Sequence, residues 1–454
     1  MKIRSINPFT EEINKEFDPL SAAQADEAVQ KAREAFGAWK RLGVADRVKP
    51  LARLAANLQQ RKVEYGRIIT KEMGKPVKQA IGEVEKCAWL CEYYAESAPK
   101  LLKDEIIRTE ASRSYVRFEP LGVILGVMPW NFPFWQVFRF AVPVMAVGNV
   151  CLLKHASNVP ITALEIERLF ADSGFPPHIF QTLLIDSAMT RQLIEEDKVD
   201  GVSLTGSVAA GSQVGASAGK GIKKLVLELG GSDPFIVLDD ADVAKAAEVG
   251  VLARTFNTGQ SCIAAKRFIV MESVAAEFQE RFIDIFSKLK VGDPMQDDTD
   301  VGPLARKEFV DDLQRQVDDA EEKGATITYG SSPPEGKGFF FRPAVVTGVK
   351  PDMKVLTEEV FGPVAPIIVV REEEEIVRIA NSTEFGLGAA VWSRSMERAE
   401  QLSRKIDSGF IAINDFVKSD PRLPFGGVKK SGIGRELSYF GLKEFVNAKT
   451  VVVK

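Results

Sequence analysis

A short polar loop at residues 256–262 carries one thiol, Cys262, between a helical pattern and a strand pattern. Gly259 permits a sharp turn there, and the polar side chains around it do not form a dry apolar pocket. A thiol presented to a cleft by such a loop can act as a nucleophile, because backbone N–H groups and the nearby cations Lys266 and Arg267 favour the thiolate. The alternative is a buried free cysteine that packs as a small hydrophobe. The loop alone leaves both interpretations open.

The overall composition narrows the class of protein. A chain of 454 residues suggests two or three domains. Its net charge of −4 gives no electrostatic reason to expect nucleic acid or an anionic membrane as a partner. The two histidines argue against a zinc hydrolase or a Ser-His-Asp enzyme, and the four cysteines form no C-x-x-C or metal-type cluster. We expect no metal site.

The apolar segments predict a soluble protein. The first eight residues lack the apolar core of a signal peptide. The longest apolar run, residues 140–153, is interrupted by Pro143 and Asn149 and is too short to span a bilayer. Because unclustered cysteines fit a reducing environment, the expected location is the cytoplasm.

Helical patterns come first in the chain. Ser21 and Gln24 form a capping-box pattern that opens a helix, and apolar residues then recur at helical spacing as far as Trp39. Two more long helices are predicted at residues 46–73 and 77–102.

Two strand patterns have no evident neighbour, one at residues 113–119 and one at the C-terminal residues 450–453. Exposed strand edges are a hazard unless they pair, either with each other or with another subunit. These edges therefore predict a homo-oligomer.

From Leu121 onward, short apolar strands alternate with helical stretches. This alternation predicts a parallel doubly wound sheet, which binds ligands at the carboxyl ends of its strands. The predicted strands are residues 123–127, 150–154, 181–184, 201–204 and 225–227.

Three of these strand ends are followed by groups suited to binding. Asn131 lies between two prolines, and its amide either donates to an oxyanion or caps a rigid turn. Lys154 is a phosphate or ribose contact, or else a solvated charge. Gly206 and Ser207 open a helix whose N-terminus can bind an anion, although this pattern alone is weak.

Glu228 ends the last of these strands and is followed by the pair Gly230-Gly231. A lone glutamate at this position can cap the helix that follows. A glutamate that swings on a glycine hinge into a cleft with a thiol is a good general base.

Six segments resemble motifs of the aldehyde dehydrogenase superfamily, and they occur in the family's order. Each is weak alone, but together they cover the chain from its first third to near its end, and on this resemblance Cys262 is the nucleophile. The segments are Pro129–Pro133, Thr205–Ser207, Glu228–Gly231, Asn257–Cys262, Glu359–Val364 and Pro424–Gly427.

The resemblance implies an α/β fold in three parts. A Rossmann-like cofactor domain is expected from residues 1–107 and 121–228, with 415–436 returning to it. An α/β catalytic domain is expected at 229–414. The third part is a small β oligomerisation element from residues 108–120 and 437–454.

The resemblance also implies roles at the site. Cys262 attacks an aldehyde to give a thiohemiacetal, while the Asn131 amide and the Cys262 backbone N–H hold the oxyanion. A nicotinamide cofactor accepts the hydride, and Glu228 activates the water that hydrolyses the thioester. Glu359 is expected to hold the nicotinamide ribose, and Phe361 to pack beside the ring. The remaining expected cofactor contacts are Trp130, Lys154, Gly206, Ser207 and Leu229.

Arg139 carries the substrate prediction. Most family members have an apolar or aromatic residue at this offset from Asn131, whereas the succinate-semialdehyde dehydrogenases have arginine. Either a substrate carboxylate or a protein carboxylate would balance its charge in a tunnel of aromatic residues such as Trp135. Ser261 and Ser419 are expected as second contacts. The predicted substrate is succinic semialdehyde or a related short aldehyde acid, and neutral aliphatic aldehydes are the alternative.

Two positions depart from patterns seen in some members. Phe256 stands where some have a second substrate-binding arginine. Ala264 stands where some have a second cysteine that forms a regulatory disulfide, so we expect that switch to be missing.

Ser157 carries the cofactor prediction. NAD-using relatives often have a glutamate there, three residues after Lys154, and its charge would repel the 2′-phosphate of NADP. A serine removes this repulsion, so we expect NADP to be preferred, with NAD possible. A thioesterase or acyl transferase without redox chemistry is a further alternative, and the complete cofactor path argues against it.

Overall fold

The computed structural model describes residues 2–330 and 336–454. Its strands are β1 Ile3–Ile6, β2 Ile13–Phe17, β3 Glu105–Ile107, β4 Arg113–Pro120, β5 Val123–Met128, β6 Val150–His155, β7 Phe180–Thr182, β8 Gly201–Thr205, β9 Lys224–Glu228, β10 Asp233–Val237, β11 Ala265–Met271, β12 Thr326–Tyr329, β13 Ala344–Thr347, β14 Val364–Val370, β15 Gly388–Trp392, β16 Phe410–Ile413, β17 Gly432–Ile433 and β18 Val446–Val453.

Besides two short 3₁₀ turns, at Phe256–Gly259 and Lys429–Ser431, the described residues form a series of α-helices. They are α1 Ala22–Trp39, α2 Val44–Met73, α3 Val77–Leu101, α4 Trp135–Val147, α5 Pro160–Asp172, α6 Ser187–Glu195, α7 Val208–Lys220, α8 Val243–Thr255, α9 Glu272–Ser287, α10 Lys307–Glu322, α11 Lys354–Thr357, α12 Glu373–Asn381, α13 Met396–Ser403 and α14 Ser438–Glu444.

The predicted parallel sheet is confirmed. Its strand order is β17-β9-β8-β5-β6-β7, and every pair is parallel except β17 with β9. The middle strands are fully buried at Val123–Leu125 and Val150–Leu153, because helices cover both faces. The carboxyl ends of these strands meet at one edge, so the polar residues that follow them are brought together.

A second, seven-stranded sheet has the order β12-β13-β14-β11-β10-β15-β16. It is parallel except for the pair β12 with β13. The loop with Cys262 lies between α8 and β11, which leads into the middle of this sheet.

The two unpaired edges predicted from the sequence pair with each other. Strands β4 and β18 run antiparallel over their full length, from Val446 opposite Pro120 to Val453 opposite Arg113. Strand β3 extends the sheet on the other side of β4, and the sequence pattern did not predict it. The domain boundaries given above stay a prediction.

The predicted helices are present with small differences at their ends. Ser21 and Gln24 form the capping box of α1. Helix α2 starts two residues before the predicted position and ends at Met73, and the following Gly74 caps it with a left-handed φ of 79°. Among the described residues, no helix has the length and apolar character needed to cross a membrane.

Helix α4 is held in place by a buried charge pair. The Glu83 carboxylate accepts hydrogen bonds from the backbone N–H groups of Phe134 at 2.8 Å and Trp135 at 3.0 Å, at the start of α4. Lys75 forms a buried ion pair with Glu83, and its ammonium lies 3.8 Å from the ring centroid of Phe132. A negative charge at a helix N-terminus is favourable, so this pair fixes the helix that carries Trp135 and Arg139.

Replacing Lys75 with methionine is expected to lower the free energy of unfolding by about 3 kcal/mol or more, because Glu83 then stays buried without its ion-pair partner. Urea denaturation followed by circular dichroism measures the loss. Lys71→Met, at an exposed position near the end of α2, is the control and should stay within about 0.5 kcal/mol of wild type. Identical curves for Lys75→Met and wild type would contradict this role.

Candidate active site

The thiol loop is built on left-handed backbone. Asn257 and Thr258 both have φ of 57°, and Gly259 has φ of 75°. Left-handed conformations are uncommon for residues other than glycine and persist where surrounding contacts impose them. The buried guanidinium of Arg254 supplies such contacts, since it donates to the carbonyl of Gly259 at 2.8 Å and to that of Ala265 at 3.0 Å.

Asn131 and the thiol loop are joined by buried hydrogen bonds. The Asn131 amide Nδ2 donates to the carbonyl of Gln260 at 3.1 Å. Asn257 Nδ2 donates to that same carbonyl at 3.0 Å and to the carbonyl of Asn131 at 2.8 Å. An amide carries two N–H groups, so Asn131 retains one that can donate to an oxyanion formed at Cys262.

Cys262 lies between two cavities. One has a volume of about 570 Å³ and is lined by Trp130, Leu229 and Phe361 among others. The second has a volume of about 500 Å³ and is lined by Trp135, Arg139 and Phe425 among others. Cys262 and Gln136 line both cavities, so a group in either one can reach the sulfur.

Burial raises the pKa of the Cys262 thiol to about 12, and the positive charges of Lys266 and Arg139 oppose this rise. The Lys266 ammonium donates to the Cys262 carbonyl at 3.0 Å and pairs with Glu359. The prediction that Arg267 also favours the thiolate is wrong. Its guanidinium instead donates to the carbonyls of Ser232, Ile379 and Ala380.

Glu228 is withdrawn from both cavities. The residue is 2% exposed, and neither carboxylate oxygen has a hydrogen-bond partner among the described residues. Burial raises the pKa of this carboxyl well above its ordinary value, Arg139 lowers it, and Glu436 raises it further. This shift favours the protonated form of Glu228, which must reorient and lose its proton to act as a base.

The glycine pair after Glu228 is closely packed. Gly230 accepts a hydrogen bond from the Ser431 hydroxyl at 2.7 Å, and a Cβ there would lie 2.5 Å from the Glu359 carboxylate. A Cβ on Gly231 would lie 2.5 Å from the Cys262 carbonyl. The glycines thus permit close packing around the thiol, and we expect Glu228 to move by rotation of its own side chain.

Most of the predicted cofactor residues share the first cavity. Six of the eight line it: Trp130, Gly206, Ser207, Leu229, Glu359 and Phe361. Ser207 caps the N-terminus of helix α7, and its hydroxyl accepts a hydrogen bond from the backbone N–H of Ala210. The positive end of this helix dipole is therefore at the first cavity, which Ser207 lines. These residues fit a nicotinamide dinucleotide.

Lys154 and Ser157 lie beyond the cavity lining, at and just after the end of β6. Arg306 joins them from the start of α10. Its guanidinium donates to the Ser157 hydroxyl at 3.3 Å and to the side-chain oxygen of Asn158 at 3.2 Å. Burial lowers the pKa of Lys154, and the charge of Arg306 lowers it further.

The predicted substrate residues line the second cavity: Trp135, Arg139, Ser261 and Ser419. Phe132 and Phe256 also line this cavity and stack on each other, with ring centroids 6.1 Å apart. Position 256 therefore contributes an aromatic ring to the cavity wall. Ala264 also lines this cavity.

Arg139 has a protein partner, which is the alternative left open by the sequence. Its guanidinium forms a buried ion pair with Glu436 and donates to the Thr205 hydroxyl at 3.3 Å. It also lies 4.7 Å from the ring centroid of Phe425. A desolvated arginine in such a pair has its charge balanced without a ligand.

Residues 1–451 match the sequence profile of the aldehyde dehydrogenase family. The chain belongs to the aldehyde dehydrogenase family. It is 48% identical over 451 residues to the probable succinate-semialdehyde dehydrogenase (NADP+) of Synechocystis sp., with 99% of each chain covered. It is 43% identical over 447 residues to the succinate semialdehyde dehydrogenase (NAD(P)+) Sad of Escherichia coli, with 98% of this chain and 97% of Sad covered.

A solved relative has the same fold. The crystal structure of succinic semialdehyde dehydrogenase from Streptococcus pyogenes in complex with NADP+ superposes with a TM-score of 0.97 at 36% identity, with 99% of each chain covered. The α/β fold and the aldehyde dehydrogenase family inferred from the six motifs are confirmed.

The motifs did not reveal several residues of this aldehyde dehydrogenase site. Arg306 and Glu436 lie outside them, and Arg254 precedes the thiol motif without belonging to it. Lys86 also lines the second cavity, and its place in an otherwise ordinary helical pattern gave no signal. Lys86 becomes evident as a cavity residue only when the charged side chains that line the cavity are compared.

Glu228→Gln is expected to give a burst of reduced cofactor followed by a slow steady state, because in the predicted roles the acyl group still forms on Cys262 but its hydrolysis loses the base. Stopped-flow absorbance of the reduced nicotinamide measures both phases. Gln136→Leu alters the place where the two cavities meet and is the control. We expect it to change the burst and the steady-state rate together, without the burst followed by slow turnover. Loss of the burst together with the steady state would give Glu228 a role before the acyl-enzyme.

Proposed function

We propose that this aldehyde dehydrogenase oxidises succinic semialdehyde to the dicarboxylic acid and prefers NADP as the hydride acceptor. The observation that carries the substrate assignment is the charge of the second cavity. Its lining includes Lys78, Lys86, Lys418 and Arg139, and among the described residues that line it Glu83 is the sole acid. Glu83 is paired with Lys75, Arg139 with Glu436 and Lys418 with Asp415, so the net positive charge that the cavity offers to a substrate carboxylate comes from Lys78 and Lys86. The names of the relatives from Synechocystis sp. and Escherichia coli support the same assignment.

The residues divide the reaction between them. The Cys262 sulfur attacks the aldehyde carbon, and the remaining Asn131 N–H donates to the oxyanion. A nicotinamide dinucleotide, when bound in the first cavity, supplies the hydride acceptor. With the acyl group as a thioester on Cys262, Glu228 removes a proton from water, which then attacks and releases the acid. Gln136 and Cys262 mark the place where the two cavities meet.

The preference for NADP is supported by the cations around Ser157. An exposed serine replaces the carboxylate that would repel a 2′-phosphate, and Arg306 and Lys154 supply positive charge beside it. Two unit charges 4 Å apart interact by roughly 4 kcal/mol at an effective dielectric of 20, so exchanging repulsion for attraction is enough to select the phosphate. The crystal structure of the Streptococcus pyogenes relative is a complex with NADP+, which agrees with a preference for NADP.

Ser157→Glu is expected to lower the NADP-to-NAD ratio of specificity constants by about 100-fold or more, because the new carboxylate repels the 2′-phosphate. Arg306→Gln should raise KM for NADP by about 10-fold and affect NAD little. Lys307→Gln, the exposed neighbour on α10, is the control. Steady-state kinetics with both cofactors measures the ratio. A wild type that uses NAD with the higher specificity constant would show that Ser157 and Arg306 do not select the phosphate.

The substrate assignment is tested with one panel of aldehydes. Succinic semialdehyde should have a specificity constant at least about 100-fold above that of butanal, which lacks the carboxylate, because charge-assisted pairing is lost with the neutral chain. Equal constants would favour the alternative, oxidation of neutral aliphatic aldehydes in the aromatic cavity. No reduced cofactor with any aldehyde, together with hydrolysis of an added acyl thioester, would indicate a thioesterase.

We also infer a homo-oligomer that works in the reducing cytoplasm. Ile106 on β3 and Val452 on β18 are 66% and 58% exposed at opposite sides of the three-stranded sheet, and such apolar strand edges favour coverage by a second copy. All four cysteines are free, which agrees with a reducing compartment. Light scattering that returns the 49.9 kDa mass of one chain would contradict the oligomer.

A further inference from the structure

His155 is a buried titratable residue that the mechanism above does not use. It is the last residue of β6 and is 6% exposed. Its imidazole contacts both ends of the segment 129–133, which carries Asn131. Nε2 lies 2.9 Å from the carbonyl oxygen of Pro133, the last residue of the segment. Nδ1 lies 3.2 Å from the carbonyl oxygen of Met128, the residue before the segment.

The hydrogen bonds of the imidazole assign its proton. The backbone N–H of Ala156 donates to Nδ1 at 2.9 Å, so Nδ1 is the bare nitrogen and Nε2 carries the N–H, which donates to the Pro133 carbonyl. Burial lowers the pKa of His155 to about 4, the carbonyls of Pro133 and Met128 oppose this shift, and the charge of Lys154 adds to it. The ring is therefore neutral at about pH 7.

The Pro133 carbonyl is buried at the start of α4. The carbonyls of its two neighbours in the chain accept from backbone N–H groups of the helix, those of Gln136 and Phe138, at 2.9 Å each. Among the described residues, the Pro133 carbonyl has the His155 ring as its donor instead. A buried carbonyl without a donor is costly, so removal of the imidazole should shift the backbone at Pro133.

Such a shift would move Asn131, whose side chain has few contacts of its own. Its Nδ2 donates to the Gln260 carbonyl at 3.1 Å, and its Oδ1 is buried without a hydrogen-bond partner among the described residues. The direction of the second Nδ2–H is therefore set by the backbone of the segment 129–133. A displacement of about 1 Å at a reacting centre costs about 100-fold in rate.

We propose that His155 is a positioning residue, which fixes the segment 129–133 from the side of β6 and so directs the Asn131 amide at the oxyanion. This inference rests on the roles proposed for Asn131 and Cys262 in the reaction. The imidazole holds the end of the segment that joins α4, while the thiol loop holds Asn131 in its middle. With both contacts in place, the amide and the Cys262 sulfur keep the spacing that oxyanion binding needs.

The experiment compares two conservative replacements of His155. The side-chain amide of glutamine reaches the place of Nε2, so His155→Gln keeps a donor for the Pro133 carbonyl. Asparagine is one methylene shorter, and its amide reaches only the place of Nδ1. The rate of cofactor reduction is measured in a single turnover at saturating NADP, with enzyme in excess over the aldehyde. The aldehyde is succinic semialdehyde or butanal, whichever wild type oxidises faster.

The single-turnover rate should stay within about 10-fold of wild type in His155→Gln and fall by about 100-fold in His155→Asn. Equal rates in the two variants would overturn the proposal, because the donor at the place of Nε2 would then not matter. His178→Asn is the control, since His178 is the other histidine of the chain and lines neither cavity. It should keep the wild-type rate.

Alkylation by iodoacetamide separates positioning from a general disturbance of the site. The reagent forms a bond to the Cys262 sulfur and releases iodide without forming an oxyanion, and the other three cysteines are fully buried. The alkylation rate of Cys262 should therefore be the same in wild type, His155→Gln and His155→Asn. A loss of alkylation in parallel with the loss of cofactor reduction would assign His155 to support of the thiol loop and overturn the proposal.

A double variant shows whether His155 acts through Asn131. Asn131→Ala alone should lower the single-turnover rate by about 100-fold or more. Adding His155→Asn to it should cost less than about 3-fold further, because the amide that His155 positions is already gone. Losses that multiply would overturn the proposal. A wild-type rate in Asn131→Ala would overturn the proposed oxyanion role itself, whereas a slow Asn131→Ala beside a normal His155→Asn would overturn the positioning role alone.

Discussion

The buried hydrogen bonds among Asn131, Asn257 and Gln260 are the contact on which the reaction centre depends. Two amides donate to one carbonyl, that of Gln260, and one of them also holds the carbonyl of Asn131. The bonds join the loop after β5 in the first sheet to the loop before β11 in the second. A buried amide left without its partner costs about 1–3 kcal/mol, so Asn131 and Cys262 keep their relative positions or both loops rearrange.

The same junction explains why one thiol serves two cavities. Asn131 precedes α4, whose start is fixed by Glu83, and α4 supplies Gln136 to both cavities and Trp135 and Arg139 to one. The surroundings that fix Cys262 also bury it, and burial raises the pKa of its thiol to about 12. The enzyme therefore holds a neutral thiol beside the cation of Lys266, and the thiolate forms when bound ligands or a base change that balance.

The sequence was sufficient where local pattern decides structure. Alternating strands and helices predicted the parallel sheet, and the motifs placed Asn131, Glu228 and Cys262. It failed where the deciding contact joins distant parts of the chain. Glu436 pairs with Arg139, and Arg306 donates to Ser157, which lies 149 residues earlier in the chain. The sequence around Glu436 and Arg306 gives no local sign of either contact. The close packing of the glycines after Glu228 also had no local signal, because the sequence does not show the atoms that would meet a Cβ.

A crystal structure of Cys262→Ala with NADP and succinic semialdehyde tests the central claim most directly. The account predicts the nicotinamide in the cavity with Trp130 and Phe361, the aldehyde in the cavity with Trp135, and the aldehyde oxygen within about 3 Å of the Asn131 amide. The loop bonds to the Gln260 carbonyl should be intact in this complex. An aldehyde oxygen turned away from Asn131, or both ligands in one cavity, would contradict it.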